Sequence, residues 1–344
     1  VAVRLGKPGI LMGGLLDRLV LNGVRRPVHA SPEAEDELYA ALWLRAAKAV
    51  GVPAEDMGNG FVRLADTWVW RHETDLDGVA TARLAADKAA VHILLYHAGL
   101  NVPAHEVFRA DDLKPALDFL AHCGRCVVKP SRGTARGEGV TTGITTPADL
   151  DRAVLAAARF DRTLLIEAHL TGAVHRVLVL DGAVLDDVVR EPPHLTGDGH
   201  SSVRQLVAVE NQRRLDDEAG DGTGALTIDL DMALTVHHGG LDLRDTPAAG
   251  ASFLAKSVVN ENSAEENRHC HPFTPAVADA ARTAAGALGL RLAGVDVVEG
   301  EDGTITVLEV NGTPGLLVHE RARGRRPEPP LAEQVVRALV EGPG

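Results

Sequence analysis

The sequence predicts an α+β or mixed α/β protein built around several small antiparallel sheets. Three observations carry this. A hydroxyl residue followed by Pro recurs as a helix start at Ser31-Pro32, Thr146-Pro147 and Thr274-Pro275. Short apolar runs bounded by turn residues recur between them. Two Asp-Gly pairs, at Asp181-Gly182 and Asp302-Gly303, join consecutive runs as hairpin turns.

Each element follows from local chemistry. A capping hydroxyl followed by Pro at the first helical position suits a helix start. The first such helix opens with Glu33, Glu35 and Asp36 and runs to Gly51, where a glycine can close the last turn. The second passes Leu150 and Val154 toward Phe160, and the third is alanine-rich and ends near Gly289. Strands are expected at Cys126 to Lys129, Val140 to Ile144 and Leu164 to Glu167. Val174 to Leu180 and Ala183 to Arg190 flank the first Asp-Gly turn; Val295 to Val298 and Thr304 to Val310 flank the second. Trp68 and Trp70 alternate on a strand and are expected in the core. The order reads helix-rich at the start, mixed in the middle, then strands and helices. Arg321 to Pro330 reads as a surface connector to a last helix, Leu331 to Val340.

The 344 residues allow two or three subdomains. Aromatics are only 3% against 45% hydrophobic residues, so Ala, Val and Leu must fill the cores. A net charge of −13 argues against a nucleic-acid binder, and no apolar run is long enough for a membrane span. The segment Val1 to Met12 lacks the apolar stretch of a secretory signal, and three cysteines make no disulfide framework. A cytoplasmic location is the expectation. An anionic ligand would need locally concentrated cations, and lysine occurs only at Lys7, Lys48, Lys88, Lys114, Lys129 and Lys256.

Chemistry concentrates near the C-terminal end. Asp296 lies in Ala293-Gly-Val-Asp-Val-Val298, and Glu309 and Asn311 lie in Val307-Leu-Glu-Val-Asn-Gly-Thr-Pro-Gly315. Residues two apart on a strand share a face, so Glu309 and Asn311 present oxygens side by side, and a hairpin partner can bring Asp296 opposite. Such hard oxygen donors suit Mg²⁺ bridging phosphates. The alternative is a solvated strand edge, against which the apolar neighbours argue, because a buried carboxylate needs a partner. In Val127-Val-Lys-Pro-Ser-Arg-Gly-Thr-Ala-Arg-Gly-Glu-Gly-Val140, a strand ending at Lys129 enters a loop with Gly133, Gly137 and Gly139. That loop can be an anion nest or simply a hairpin tip. It leads into a strand, so it is neither a Rossmann turn nor a Walker A loop. Leu164-Leu-Ile-Glu-Ala-His-Leu170 can offer backbone groups to a base edge. Arg190 ends an apolar strand before Pro192-Pro193 and is either a carboxylate clamp or a solvated strand end, with Arg244 and Lys256 lesser candidates for the same role.

Together these motifs resemble the ATP-grasp superfamily, most closely the ATP-grasp region of cyanophycin synthetases and bifunctional glutathione synthetases. The resemblance runs from about Asp56 to Glu320. It includes Leu84-Ala-Ala-Asp-Lys-Ala-Ala90, Gly99-Leu-Asn-Val-Pro103, Val128-Lys-Pro130, Leu165-Ile-Glu167, Arg176-Val-Leu-Val179, Gly197-Asp-Gly199 and the Asp296, Glu309, Asn311 set with Pro314-Gly315. It implies an ATP-grasp fold of three subdomains, divided here as 1–87, 88–185 and 186–344. By resemblance Lys88 and Lys129 hold ATP phosphates beneath a loop from Ser131 to Gly139, and Glu167, Ala168 and Leu170 form the adenine hinge. His175 is placed with the nucleotide residues, Arg190 and Lys256 with the catalytic ones. Asp296, Glu309 and Asn311 ligate Mg²⁺, with Mn²⁺ as the alternative. The implied reaction joins the carboxylate of an amino acid or peptide to an amine through an acyl-phosphate. A kinase releasing a phosphorylated product and a non-catalytic nucleotide-binding regulator are the alternatives. Val174 stands where many relatives carry a ribose-holding acid, and Asn260-Glu-Asn-Ser-Ala-Glu-Glu-Asn267 replaces a glycine-rich substrate segment. Small-molecule substrates are the expected partners, and a homodimer is a prior from symmetry statistics alone. Zinc at Cys123-Gly-Arg-Cys126 or His269-Cys-His271 is set aside for want of a second spaced pair.

Overall fold

A computed structural model describes residues 32–132, 137–216, 225–324 and 329–342. The Val1 to Met12 segment, Ser31 and Gly133 lie outside them. Along the chain run α1 (Pro32–Val50), β1 (Ala54–Gly58), β2 (Phe61–Leu64), β3 (Thr67–Trp70), β4 (Glu73–Thr74), α2 (Val79–Ala85), α3 (Lys88–His97) and β5 (His105–Arg109). Next come α4 (Lys114–Cys123), β6 (Cys126–Pro130), β7 (Thr141–Ile144), α5 (Pro147–Ala157), β8 (Thr163–Ala168), β9 (Ala173–Leu180), β10 (Ala183–Arg190) and β11 (His194–Thr196). The remainder is α6 (Val203–Asp216), α7 (Leu230–His238), β12 (Ser252–Leu254), β13 (Asn267–His269), α8 (Pro275–Leu288), β14 (Leu292–Glu299), β15 (Ile305–Asn311), α9 (Leu317–Arg323) and α10 (Leu331–Glu341).

Two antiparallel sheets make the framework. The first has the order β5-β8-β6-β7, the second β13-β10-β9-β14-β15. The β9–β10 hairpin turns at Asp181 and Gly182 with φ of 47° and 77°, the two positive values that a tight two-residue turn demands. Thr146 caps α5 by accepting from the Asp149 amide, and Gly289 closes α8 in the left-handed region at φ 69°. Alternation then assigns the faces. On the five-stranded sheet Val177, Val179, Val295 and Val297 pack beneath α8 through Ala281, Ala284 and Ala285, whose small side chains let helix and sheet approach closely. On the four-stranded sheet Val128, Ile144, Leu164 and Ile166 pack against Leu150 and Val154 of α5. The opposite faces of both sheets are left for the site. Among the described residues no helix is long and apolar enough to cross a membrane.

Four expectations need correction. The first region is not simply helix-rich: α1 is followed by a four-stranded meander, β1-β2-β3-β4. Within it Val69 is buried, while Trp68 is exposed and Trp70 half-buried against Phe61, because strand alternation aims Val69 at Trp43 and Tyr39 of α1. The subdomain limit at 185/186 falls inside β10, and the five-stranded sheet joins 173–190 to 267–311, so hydrogen bonding runs across it. Arg321 and Arg323 belong to α9 rather than to a connector.

Candidate active site

The two open sheet faces enclose a cavity of about 890 Å³. One end of it is assembled from α3, β6 and β8. Asp87 caps α3 by accepting from the Ala90 amide, and the Lys88 amide donates to the Ser131 carbonyl at 3.0 Å. That bond ties the start of α3 to the end of β6, so Lys88 and Lys129 enter the cavity from adjoining backbones. Lys88 Nζ lies 3.6 Å from Glu309 Oε1, and Lys129 Nζ lies 2.7 Å from Glu167 Oε1. All four side chains line the cavity.

The floor comes from β14 and β15. Asp296 stands directly opposite Glu309, and Gly294 opposite Asn311, which puts all three oxygen-bearing side chains on one face. The Asn311 amide nitrogen donates to the Gly294 carbonyl at 3.4 Å. Burial would raise the Glu309 carboxyl, but the positive charges of Lys88, Lys129 and Arg176 outweigh it and hold the group below its ordinary value. Glu309 is therefore an anion at neutral pH. Asp296 behaves oppositely: burial raises it despite Arg176 and Arg190, and Glu309 adds to the rise. Its carboxylate is gripped at both oxygens by Arg176, at 2.5 and 2.9 Å.

Arg190, at the end of β10, is buried and donates to Asn260 Oδ1 at 2.9 Å and to the Val259 carbonyl at 2.8 Å. Its Nε has no hydrogen-bond partner among the described residues. Burial and the nearby Arg176 push its pKa down to about 10, so it keeps its charge at neutral pH. Ala168 and Leu170 line the cavity with Glu167, and their backbone follows β8 out of the four-stranded sheet. Val174 also lines it and brings no polar group to the place where an acid was expected.

The other expected residues divide between the cavity and positions away from it. Gly137, at φ 78°, lines the cavity, and a Cβ there would come within 2.8 Å of Val258. Gly139, at φ 73°, is required by packing, since a Cβ would meet Phe160 and Pro130 at 2.8 and 2.9 Å. Ser131 acts through its carbonyl on α3. His175 is a correction: it points to the face of the sheet away from the cavity, bonded to Asp187 at 2.8 Å, because it alternates with Val174 and Arg176. Lys256 is another. It is buried between Asp229 and Glu261, at 2.8 and 3.0 Å, and does not line the cavity. Those carboxylates hold its pKa up in spite of burial, which makes it a structural cation.

Sequence reasoning missed two participants. Arg176 was recognised within a motif, but its hold on Asp296 arises from the β9–β14 register, which sets the two opposite each other. His92 lies four residues after Lys88 on α3, a spacing that places both on one helix face. Its Nε2 reaches the Leu308 carbonyl at 3.2 Å, and its Nδ1 lies 3.7 Å from Glu167. Burial lowers its pKa from 6.5 to about 4. A histidine that stays neutral when folded but protonates when unfolded loses the protein stability as pH falls from 6.5 toward 4, at about 1.4 kcal/mol per pH unit. Replacing His92 by Gln should remove that much of the slope in urea denaturation across this range. An unchanged slope would show that His92 titrates normally.

No family model matches the chain. It is 29% identical over 263 residues to cyanophycin synthetase of Nostoc sp., covering 72% of this chain and 28% of that protein. It is 26% identical over 262 residues to the glutathione biosynthesis bifunctional protein of Mannheimia succiniciproducens, covering 72% of this chain and 34% of that one. The chain thus spans about a third or less of the curated relatives it matches. The bifunctional glutathione synthetase structure from Pasteurella multocida superposes with a TM-score of 0.53 at 22% identity, over 89% of this chain and 44% of that one. This chain has the ATP-grasp fold, and in sequence it is similar to a segment of cyanophycin synthetase and of bifunctional glutathione synthetase.

Proposed function

We propose that the chain is an ATP-dependent carboxylate–amine ligase working through an acyl-phosphate. The observation that carries this reading is the convergence of Lys88, Lys129, Glu309, Asn311 and Asp296 on one cavity. On this reading the adenine sits against the backbone of Glu167 to Leu170, and the phosphates extend toward Lys88 and Lys129. Both lysines are already paired with acids, Lys129 with buried Glu167 and Lys88 with half-buried Glu309, so the cavity holds its cations without free charge. Phosphate oxygens would take over from the carboxylates as partners.

Glu309 and Asn311 fit a Mg²⁺ ion: they are hard donors on one strand face, and Glu309 is ionised. When bound, the ion would neutralise phosphate charge and orient the terminal phosphoryl group. Asp296 can join only if Arg176 gives up part of its grip. Arg190 would hold the substrate carboxylate near the terminal phosphate, where its unpartnered Nε and fixed Asn260 contact favour one orientation. A carboxylate oxygen then bonds to the γ-phosphorus as the β,γ-bridging P–O bond breaks, and ADP leaves. The amine nitrogen attacks the acyl carbon, phosphate departs with the C–O electron pair, and the ammonium proton passes to solvent. The acid and amine are amino acids or peptides on this reading.

Hydroxylamine tests the chemistry, since it is small enough to replace the natural amine. With a panel of amino acids, ATP and Mg²⁺, the chain should yield a hydroxamate together with ADP and phosphate. AMP as the nucleotide product would overturn the acyl-phosphate route, and a stable phosphorylated acceptor without hydroxamate would make the chain a kinase.

A further inference from the structure

The face of the five-stranded sheet turned away from the cavity carries a second constellation. His175 on β9 and Asp187 on β10 are both buried, with side chains 3% and 1% exposed. His175 Nδ1 approaches the two Asp187 oxygens at 2.8 and 3.1 Å. Cys270 follows β13, and its amide donates to the Asp187 carbonyl at 2.8 Å, which pins the thiol beside the pair. One donor atom from each of the three residues lies within 4.8 Å of the other two.

We propose that His175, Asp187 and Cys270 form a binding site for Zn²⁺ or a similar borderline divalent ion. Imidazole, carboxylate and thiolate are a donor set for zinc, and differ from the all-oxygen set on the cavity floor. Tetrahedral coordination needs donors roughly 3.3–3.8 Å apart, so small side-chain rotations convert the present cluster into a ligand set. The half-buried position of Cys270 leaves the fourth place to water.

Glu299 supplies the independent argument. Its Oε2 lies 3.4 Å from His175 Nε2, the ring nitrogen opposite the cluster, and that nitrogen has no other hydrogen-bond partner among the described residues. A ligating histidine commonly turns its second N–H to a carboxylate, which fixes the tautomer and the ring plane. On binding, Cys270 releases its thiol proton and His175, starting as an imidazolium between Asp187 and Glu299, releases its Nδ1 proton to solvent, while Nε2–H is retained and donates to Glu299. The ion would staple the β9–β10 hairpin to the segment entering α8. The His269-Cys-His271 run considered in the sequence contributes only Cys270 to this grouping, because the other two ligands come from β9 and β10 through sheet pairing rather than from neighbouring positions.

Cobalt titration of the full chain tests the proposal, because a thiolate-to-cobalt charge-transfer band requires a cysteine ligand and cannot arise at the cavity, whose lining contains none. The band should saturate at about one ion per chain and be bleached by zinc. It should vanish in Cys270→Ser and persist in Cys123→Ser. Glu299→Gln should weaken cobalt binding by about tenfold. Zinc should also raise the melting temperature of the Glu309→Gln variant but not that of Cys270→Ser. Absence of the band in the unaltered chain, or its survival in Cys270→Ser, would overturn the site, and unchanged affinity in Glu299→Gln would remove its supporting carboxylate.

Discussion

Glu309→Gln should lower ADP formation by about 10³-fold, the scale associated with losing one preorganised electrostatic contact to a reacting group. The substitution keeps the side-chain shape and the strand position opposite Asp296, but removes the charge that Lys88 faces at 3.6 Å. Glu309 is held in its ionised form by Lys88, Lys129 and Arg176 against the cost of burial, so the loss falls on a group poised for a cation. The readout is Mg²⁺-dependent ADP release in the hydroxylamine assay, with the melting temperature measured alongside. A folded variant that turns over as the original does at ordinary Mg²⁺ would remove Glu309 from the proposed metal site. A variant that is inactive only because it has unfolded would show itself in the melting curve.

The second large effect is expected at Lys129. Its side chain and that of Glu167 are 8% and 5% exposed, so this is a buried pair. Truncating one partner leaves the other charged, buried and next to neutral His92, which costs about 3–5 kcal/mol. Lys129→Ala should therefore destabilise the fold by that amount and also weaken ATP binding. Adding Glu167→Gln should restore much of the stability, because the orphaned charge is gone, without restoring ATP affinity. Denaturant titration reads the first quantity and calorimetry with ATP the second. Unchanged ATP affinity in a folded double variant would show that Lys129 is a structural cation, as Lys256 is.

The contrast between those two lysines marks where sequence reading stops. Both are rare lysines in an acidic chain, and both ended up buried against carboxylates. Lys129 lines the cavity because it alternates with Val128, whose side chain takes the helix-covered face of the same sheet. Lys256 follows a short strand into a loop, where no periodicity specifies its direction. Asp229 and Glu261 capture it from regions 27 and 5 positions distant in the chain.

Period-2 alternation, Asp-Gly turns and hydroxyl-Pro starts by themselves marked α1, α5, α8 and the strands of the β9–β10 and β14–β15 hairpins, and placed Glu309 and Asn311 on one face, but left the β1–β4 meander unread. Those features are local, and the backbone obeys them wherever apolar faces can be buried. The tertiary structure alone decided the rest. The β9–β14 register set Arg176 against Asp296, and the hydrogen bond from Lys88 to Ser131 brought two lysines to one wall. Alternation on β9 sent His175 to the opposite face, where Asp187 and Cys270 meet it. Pairings of this kind join residues from about 12 to more than 100 positions apart, and they depend on which sheets pack and in what register. No short stretch of sequence carries that information, because register is chosen by the burial of whole faces.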